Sequence, residues 1–233
     1  MTAFGSISAD PYPWPVTGDG SAENSALIII DMQLDFCDAR GYIGQMGYDV
    51  TPLRAPIEPI GQALAAARRA GLHVIHTRQG YRADLADYPR KRFARSQHRG
   101  AMPGDPGPLG RILLRGEPGW QIVPELQPAK GEPVIDKTAN GAFYGTDLDA
   151  VLRAQAIENI AFCGNTIDVC VHTTLREAND RGYQCLLLAD CCGAVTKELH
   201  DAAVEMVKVE GGVFGSVAMA NEFVTGLSRA KVG

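Results

Sequence analysis

The sequence predicts an α/β protein with a Rossmann-like, doubly wound parallel sheet of about six strands and helices on both faces. Three observations support this prediction. Short apolar runs alternate with segments of helical periodicity, no repeat of fixed period is present, and 233 residues is the length of one ordinary domain. Nearly continuous apolar strands are typical of parallel sheets that are covered on both faces. We therefore expect a single domain over residues 1–233.

Each element is predicted from its periodicity and its boundary residues. Ala26–Asp31 (ALIIID) is an apolar run typical of a buried strand, whereas Ile57–Ala70 has helical spacing and ends before Gly71. His73–Arg78 (HVIHTR) returns to strand character and completes a strand–helix–strand unit. The same alternation predicts strands at Val134–Lys137, Asn159–Gly164, Tyr183–Asp190 and Val213–Met219, and helices at Thr146–Ala156 with Thr146 as its cap, Asp168–Arg181 and Lys197–Glu210.

Two segments lie outside this alternation. Residues 1–22 are expected to form an N-terminal arm, either packed on a neighbouring subunit or mobile. Gln79–Gly119 is a long insertion that is rich in Arg, Gly and Pro and has weak periodicity. Long irregular segments inside compact domains are usually functional or form interfaces, so we expect a lid or an interface there. The alternative is a solvated insertion without a role.

Composition and charge exclude several classes of protein. A net charge of −5 and a pI of about 5.5, with scattered Lys and Arg, argue against binding to nucleic acid or to a membrane surface. No window approaches the roughly 18 consecutive apolar residues of a membrane span, and the N-terminus lacks the pattern of a signal peptide. We therefore expect a cytoplasmic protein that acts on a small molecule.

The six cysteines are too few for a disulfide scaffold, and no C-x-x-C pair is present. We expect reduced thiols, most of them buried. The neighbouring residues Cys191 and Cys192 allow a redox role as an alternative. A bridge between adjacent cysteines is strained, so packing is the favoured interpretation.

Three chemically distinct side chains follow predicted strands and are expected at the carboxyl edge of the sheet, where ligands bind in open α/β folds. Asp31 and Lys137 end strands, and Cys170 lies in the helix after Gly164. Each has an ordinary interpretation by itself: a turn former, a surface cation and a buried thiol. Together they provide a nucleophile, a proton acceptor and a cation that favours the thiolate.

Around these residues the sequence resembles the isochorismatase-like cysteine hydrolases over nearly its whole length. The motifs that carry the resemblance are IIIDMQLDF, DKTANGAF and TIDVCVHTTLREANDRGY. Within that family the chain is most similar to the biuret hydrolases, through DPYPWP, HTRQGYRADLADYP, RGEPGW and GGVFGSV. The resemblance implies an isochorismatase-like hydrolase fold, a catalytic triad of Asp31, Lys137 and Cys170, and a homotetramer. The cysteine argues against the isochorismate-cleaving branch, which typically lacks it.

We expect Asp31 to accept the proton of Cys170, whose thiolate then attacks a carbonyl carbon and leaves a thioester as ammonia departs. Lys137 supports the negative charge. The backbone N–H groups of Thr166 and Cys170 are expected to bind the oxyanion, because they lie in a strand-to-helix turn. The resemblance adds a cis peptide between Asn165 and Thr166.

No metal or other cofactor is expected. The nicotinamidase branch of the family holds a metal with an Asp and paired His after the second strand, where this chain reads RQGYRADLADYPR. The five histidines show no metal-ligand spacing either.

The residue before GGVFGSV indicates the substrate. Biuret hydrolases typically carry Gln there, whereas this chain has Glu210, which favours a cationic partner. We therefore expect guanylurea, with biuret as the alternative if Glu210 is solvated or paired elsewhere. Asn140 stands where relatives often have a basic residue, and Phe36 and Phe214 are expected walls for a flat ureide or else core residues. A ligand-binding homologue without activity is a third alternative, but it would lack a member of the triad.

Overall fold

The computed structural model describes residues 2–17, 20–98, 100–228 and 231–232. Its centre is a six-stranded parallel sheet with the strand order β6-β5-β4-β1-β2-β3. The strands are β1 (Ser25–Ile30), β2 (His73–Gln79), β3 (Val134–Lys137), β4 (Asn159–Asn165), β5 (Gln184–Gly193) and β6 (Ser216–Ala218). The predicted fold class is confirmed.

The two central strands explain why the sheet is covered on both faces. Every residue of β1 and β4 is buried, and Ile28 lies opposite both Phe162 of β4 and Ile75 of β2. Such runs leave no face for water, so helices must cover the sheet on each side. The chain leaves β1 towards β2 and β3, and later leaves β4 towards β5 and β6. The strand order therefore reverses between β1 and β4, which is where ligands bind in this class of fold.

Nine helices are described in the ranges given above. They are α1 (Leu34–Cys37), α2 (Tyr42–Gln45), α3 (Thr51–Arg54), α4 (Ile57–Ala70), α5 (Arg90–Ser96), α6 (Leu148–Ala154), α7 (His172–Asp180), α8 (Lys197–Gly212) and α9 (Ala220–Ser228). Among them α4 has the clearest amphipathic pattern, with one buried stripe at helical spacing that consists of Ile60, Ala63, Leu64 and Ala67. It ends at Gly71, whose left-handed φ of 80° caps it.

Several predicted boundaries differ from the structure. The predicted helix Asp168–Arg181 starts instead as a π-helical turn, Ile167–Val171, which continues into α7. The predicted helix Lys197–Glu210 is broken at Val209–Gly211, where the backbone leaves the helical region. The predicted strand Val213–Met219 is only three residues long, because Gly212 and Gly215 have positive φ and form a turn before it.

The N-terminal arm packs on its own chain rather than extending from it. Ile7 and Trp14 pair with each other and are buried, and Asp10 pairs with Val217 at the edge of the sheet. The Trp14 indole also donates to the backbone of Gln184. Met1, Gly18 and Asp19 of the predicted arm lie outside the described residues.

The insertion Gln79–Gly119 begins with the last residue of β2 and contains α5 and a short hairpin of Pro106–Gly107 with Gly110–Arg111. Tyr81 pairs with Leu114, so the segment returns to the carboxyl edge of the sheet. Arg99 lies outside the described residues. Within the described part of the chain, none of the helices is both long and apolar enough to cross a membrane.

Candidate active site

The structure brings Asp31, Lys137 and Cys170 together at the carboxyl edge of the sheet. Asp31 Oδ2 lies 2.7 Å from Lys137 Nζ, and the Cys170 thiol interacts electrostatically with both side chains. All three residues are buried. They come from the ends of β1 and β3 and from the π turn after β4, so residues more than 130 positions apart meet at one point.

The backbone of Asp31 fixes the direction of its carboxylate. Asp31 directly follows β1 and has a left-handed φ of 50°. Its backbone N–H donates to Thr77, and the Thr77 hydroxyl donates to Asp31 Oδ1 at 2.6 Å. One carboxylate oxygen is therefore held by Thr77 of β2, and the other faces the ammonium and the thiol.

The Lys137 ammonium contacts three oxygen atoms. These are Asp31 Oδ2 at 2.7 Å, Gln79 Oε1 at 3.0 Å and the Ala139 carbonyl at 3.0 Å. Burial disfavours the charged amine, but attraction to Asp31 and Cys170 outweighs burial and raises the Lys137 pKa. Because an ammonium has three N–H donors, these oxygens saturate Lys137. Its influence on the thiol is therefore electrostatic.

The surroundings of the Cys170 thiol favour its neutral form. Burial raises its pKa to about 12, and the nearby Asp31 carboxylate adds to the rise, whereas Lys137 acts in the opposite direction. The expectation from sequence was that the lysine favours a thiolate. Lys137 does so, but the cost of an ionised sulfur in a buried site is larger. A proton acceptor must therefore act during the reaction.

The turn after β4 presents the backbone of Thr166 and Cys170 to this site. The Asn165–Thr166 peptide is cis, as the family resemblance implies. Asn165 anchors the turn, because its side-chain amide donates to the Leu53 carbonyl at 2.9 Å. Amides in the first turn of a helix have no acceptor within the helix. Thr166 and Cys170 both line the cavity described below, and the binding of an oxyanion by their N–H groups stays a prediction.

A cavity of about 320 Å³ opens onto Cys170, a size that suits a small ligand. Two of its walls, Phe36 and Asn140, were predicted from the sequence. The other lining residues are Tyr42, Ile43, Met46, Gln79, Tyr81, Tyr88, Arg92, Arg95, Pro103, Leu113, Thr166 and Val169. The insertion therefore forms one side of the cavity. Among the described lining residues there is no histidine, and no Asp or Glu.

Glu210 and Phe214 do not line this cavity in the single chain. Glu210 is exposed in the break of α8, with a left-handed φ of 55°. Phe214 packs against the core, and its ring lies under the Arg176 guanidinium at 4.2 Å. Glu210 was expected in the pocket because biuret hydrolases typically carry Gln at that position, and Phe214 was expected as a wall for a flat ureide or else a core residue. Phe214 instead lies beside Arg176, which lines a groove between α7 and α8.

Sequence reasoning missed Gln79, Tyr81 and two arginines of the cavity. Gln79 and Tyr81 lie within the motif HTRQGYRADLADYP, which carries part of the family resemblance. The motif marked this segment, but it did not indicate what either side chain does. Arg92 donates to the Tyr81 hydroxyl at 3.2 Å and to the Thr138 carbonyl at 2.9 Å. Arg95 is exposed at the same wall. The structure describes all six cysteines as free and buried, including Cys191 and Cys192.

Comparison with known proteins extends this description. A family model described as an isochorismatase domain matches residues 25–219. The chain is 31% identical over 214 residues to ureidoacrylate amidohydrolase RutB of Variovorax paradoxus, covering 90% of this chain and 83% of the relative. It is 34% identical over 208 residues to RutB of Acinetobacter baylyi, covering 87% of this chain and 83% of that relative. The crystal structure of a cysteine hydrolase from Pseudomonas syringae pv. phaseolicola aligns with a TM-score of 0.76 at 27% identity, covering 92% of this chain and 95% of that one.

Proposed function

The chain belongs to the isochorismatase family, and from that premise we propose that it is a cysteine amidohydrolase. It cleaves the terminal C–N bond of a small ureide and releases ammonia. The observation that carries this proposal is the buried contact of Asp31, Lys137 and Cys170 beside a cavity of small-molecule size. The RutB relatives are themselves named amidohydrolases, which supports hydrolysis of a C–N bond.

In the first half of the reaction Asp31 accepts the proton of Cys170, and the sulfur forms a bond to the substrate carbonyl carbon. The carbonyl electron pair moves to oxygen, where the N–H groups of Thr166 and Cys170 stabilise it. Protonated Asp31 then gives its proton to the leaving nitrogen. The C–N bond breaks, ammonia departs and a thioester remains on Cys170.

In the second half water attacks the thioester, and Asp31 again accepts the proton. The sulfur leaves as Asp31 returns the proton to it, which regenerates the neutral thiol. Lys137 keeps its three oxygen contacts throughout and stabilises the negative charge on sulfur. No step calls for a cofactor.

The substrate we propose is guanylurea, with biuret as the alternative. Glu210 supports a cationic substrate because a carboxylate pairs with an amidinium. A left-handed backbone at a residue other than glycine is strained, and such strain clusters at functional sites. Since Glu210 lies outside the cavity of its own chain, this proposal requires that Glu210 of a second copy reaches the site.

We further propose that the protein is a homo-oligomer. Four large apolar side chains of α8 and its C-terminal end are between 42% and 50% exposed, which together make an apolar surface: Leu199, Met206, Val209 and Val213. Glu210 lies between two of them. Val169, beside Cys170, is a further exposed apolar residue at the cavity. A twofold contact that covers this surface brings Glu210 of each copy towards the π turn of the other.

A second candidate substrate class is a ureido acid. Two arginines, Arg92 and Arg95, line the cavity, and guanidinium groups pair with carboxylates. Arg92 already donates to Tyr81 and Thr138, so the exposed Arg95 is the better anchor. The RutB relatives carry ureidoacrylate in their names, which favours the same class.

Ammonia release from guanylurea, biuret and 3-ureidopropionate distinguishes these substrates. We expect guanylurea to have the highest kcat/KM and Glu210→Gln to lower the guanylurea-to-biuret ratio by about tenfold or more, since a charged hydrogen bond is lost. Glu198→Gln, which removes another exposed carboxylate of α8, is the matched control. A preference for 3-ureidopropionate that Arg95→Gln abolishes supports the ureido acid instead. No ammonia from any ureide would overturn the proposed activity and favour a ligand-binding homologue.

The free cysteines of the chain favour a reducing compartment. Six free thiols, one of them the proposed nucleophile, require protection from oxidation. We therefore propose a cytoplasmic location.

A further inference from the structure

Gln79, the last residue of β2, touches both the proposed nucleophile and its cation. Gln79 Oε1 accepts from Lys137 Nζ at 3.0 Å and from the Cys170 thiol at 3.4 Å. A carbonyl oxygen has two acceptor positions, so both are occupied while the thiol is neutral. In the steps proposed above this side chain only holds the Lys137 ammonium and makes no contact with the substrate.

Gln33 fixes the backbone of Gln79. Gln33 Oε1 accepts from the Gln79 backbone N–H at 2.7 Å, and Gln33 Nε2 donates to the Gln79 carbonyl at 3.0 Å. The same Nε2 donates to the Trp120 carbonyl at 2.9 Å, which ties β2 to the end of the insertion. Both hydrogen-bonding groups of the Gln33 amide are used, and the end of β2 is held in place.

The orientation of the Gln79 carboxamide is fixed as well. Its amide hydrogen-bonds the Tyr81 hydroxyl, an interaction that lowers the Tyr81 pKa, although burial raises that pKa more strongly. Arg92 donates to the same hydroxyl. The nitrogen end of the carboxamide therefore faces Tyr81, and the oxygen end faces Lys137 and Cys170. A rotation of the amide would direct its N–H groups at the ammonium.

Transfer of the thiol proton to Asp31 changes what Gln79 can bind. The thiolate is an acceptor only, so it no longer pairs with Gln79 Oε1. One acceptor position of this oxygen becomes vacant beside the reacting sulfur at the moment when the S–C bond forms. A buried acceptor without a donor is costly, so a substrate that supplies an N–H group there is favoured.

We propose that Gln79 determines specificity by accepting an N–H from the leaving amino group of the substrate. This inference rests on the proposed amidohydrolase function. It predicts that the site selects a carbamoyl nitrogen over an ester oxygen of similar size, because an alkoxy group has no N–H to give. Gln79 Oε1 then accepts two hydrogen bonds both before and during the step, because an N–H of the substrate replaces the S–H of Cys170.

Methyl allophanate provides a direct test, because one end carries an amino leaving group and the other a methoxy leaving group. The wild-type enzyme is expected to release mostly ammonia. Gln79→Met, which keeps the approximate length but has no strong acceptor, is expected to shift the ammonia-to-methanol ratio towards methanol by about tenfold or more. Gln79→Glu keeps an acceptor and is expected to retain the ratio, although its charge slows turnover.

A purely structural role for Gln79 lowers both products in parallel and leaves their ratio unchanged, which would overturn the inference alone. Gln121→Met, at an exposed glutamine, controls for the substitution itself. If the wild-type enzyme hydrolyses neither methyl allophanate nor any other ureide, the proposed function fails and the inference fails with it. The two failures are therefore distinguishable.

Discussion

The Asp31 carboxylate lies 2.7 Å from the Lys137 ammonium, and neither side chain is accessible to solvent. Each charge is compensated by the other and by hydrogen bonds to Thr77, Gln79 and Ala139. Removing one partner of such a pair leaves an uncompensated charge in a buried site, which typically costs about 3–5 kcal/mol. The pair therefore contributes to the geometry of the site and also makes the fold sensitive to single substitutions.

A double-mutant cycle tests this coupling. We expect Asp31→Asn and Lys137→Met to lower the free energy of unfolding by about 3–5 kcal/mol each. The double variant is expected to lose much less than the sum, because no buried charge remains. Urea unfolding of the four proteins measures the coupling. Additive effects would mean that the two charges are solvated separately.

Replacement of the thiol tests the nucleophile. Cys170→Ser is expected to lower ammonia release by at least about a thousandfold while the thermal unfolding midpoint stays near that of the wild type. Cys185→Ser is the matched control, because Cys185 is also a buried thiol and its sulfur hydrogen-bonds the Leu175 and Tyr183 carbonyls, away from the proposed site. Comparable activity in the two variants would exclude Cys170 as the nucleophile.

The protonation state of Cys170 can be measured without substrate. Because burial raises the thiol pKa to about 12, alkylation by iodoacetamide should be slow at pH 7 and still rise above pH 9. Lys137→Met should slow alkylation further, since the ammonium stabilises the thiolate. Mass spectrometry of the Cys170 peptide follows the reaction. A plateau below pH 8 would indicate a thiolate that is already formed in the resting enzyme.

The sequence predicted the fold and the meeting of the three side chains because both follow from local pattern. Apolar runs such as residues 26–30 define buried strands, and parallel topology brings their carboxyl ends to one edge. This rule alone predicts that Asp31 and Lys137 lie close together. Cys170 also needed the predicted turn after the fourth strand, because it lies in the helix that this turn opens.

The cavity walls and the position of Glu210 were not predictable in this way. Tyr81 and Arg92 belong to a segment with weak periodicity, whose return to the sheet depends on single contacts such as the pairing of Tyr81 with Leu114. Glu210 was assigned to a helix because its neighbours have helical spacing. The left-handed backbone of Glu210 and Gly211 breaks that helix, and no periodicity signal reveals it.

The exposed apolar surface of α8 predicts the oligomeric state. Met206→Glu places a charge in this surface and is expected to shift the protein to smaller species in sedimentation velocity. It should also lower turnover of guanylurea, because Glu210 of the second copy is lost from the site. Val16→Glu is the control, since Val16 is an exposed apolar residue of the N-terminal arm. An unchanged sedimentation coefficient for Met206→Glu would argue against this interface.

Asp35 predicts how stability depends on pH. It is buried in α1, and its Oδ2 accepts from the Leu113 backbone N–H at 2.9 Å, which joins α1 to the insertion. Burial raises the Asp35 pKa to about 6, whereas its backbone hydrogen bonds act in the opposite direction. The raised pKa means that the folded state binds the proton more tightly than the unfolded state.

The stabilising contribution of Asp35 to the free energy of unfolding is therefore fully present below about pH 4, and it is lost as the pH rises through about 6. The free energy of unfolding should decrease by about 2–3 kcal/mol from this group between pH 4 and pH 8. Asp35→Asn cannot ionise but still offers an oxygen to Leu113, so it should be more stable than the wild type at pH 8 and similar at pH 4. All other carboxylates are common to both proteins, and the difference between their urea unfolding curves isolates Asp35. A difference that does not change with pH would mean that Asp35 is ionised without cost in the folded state.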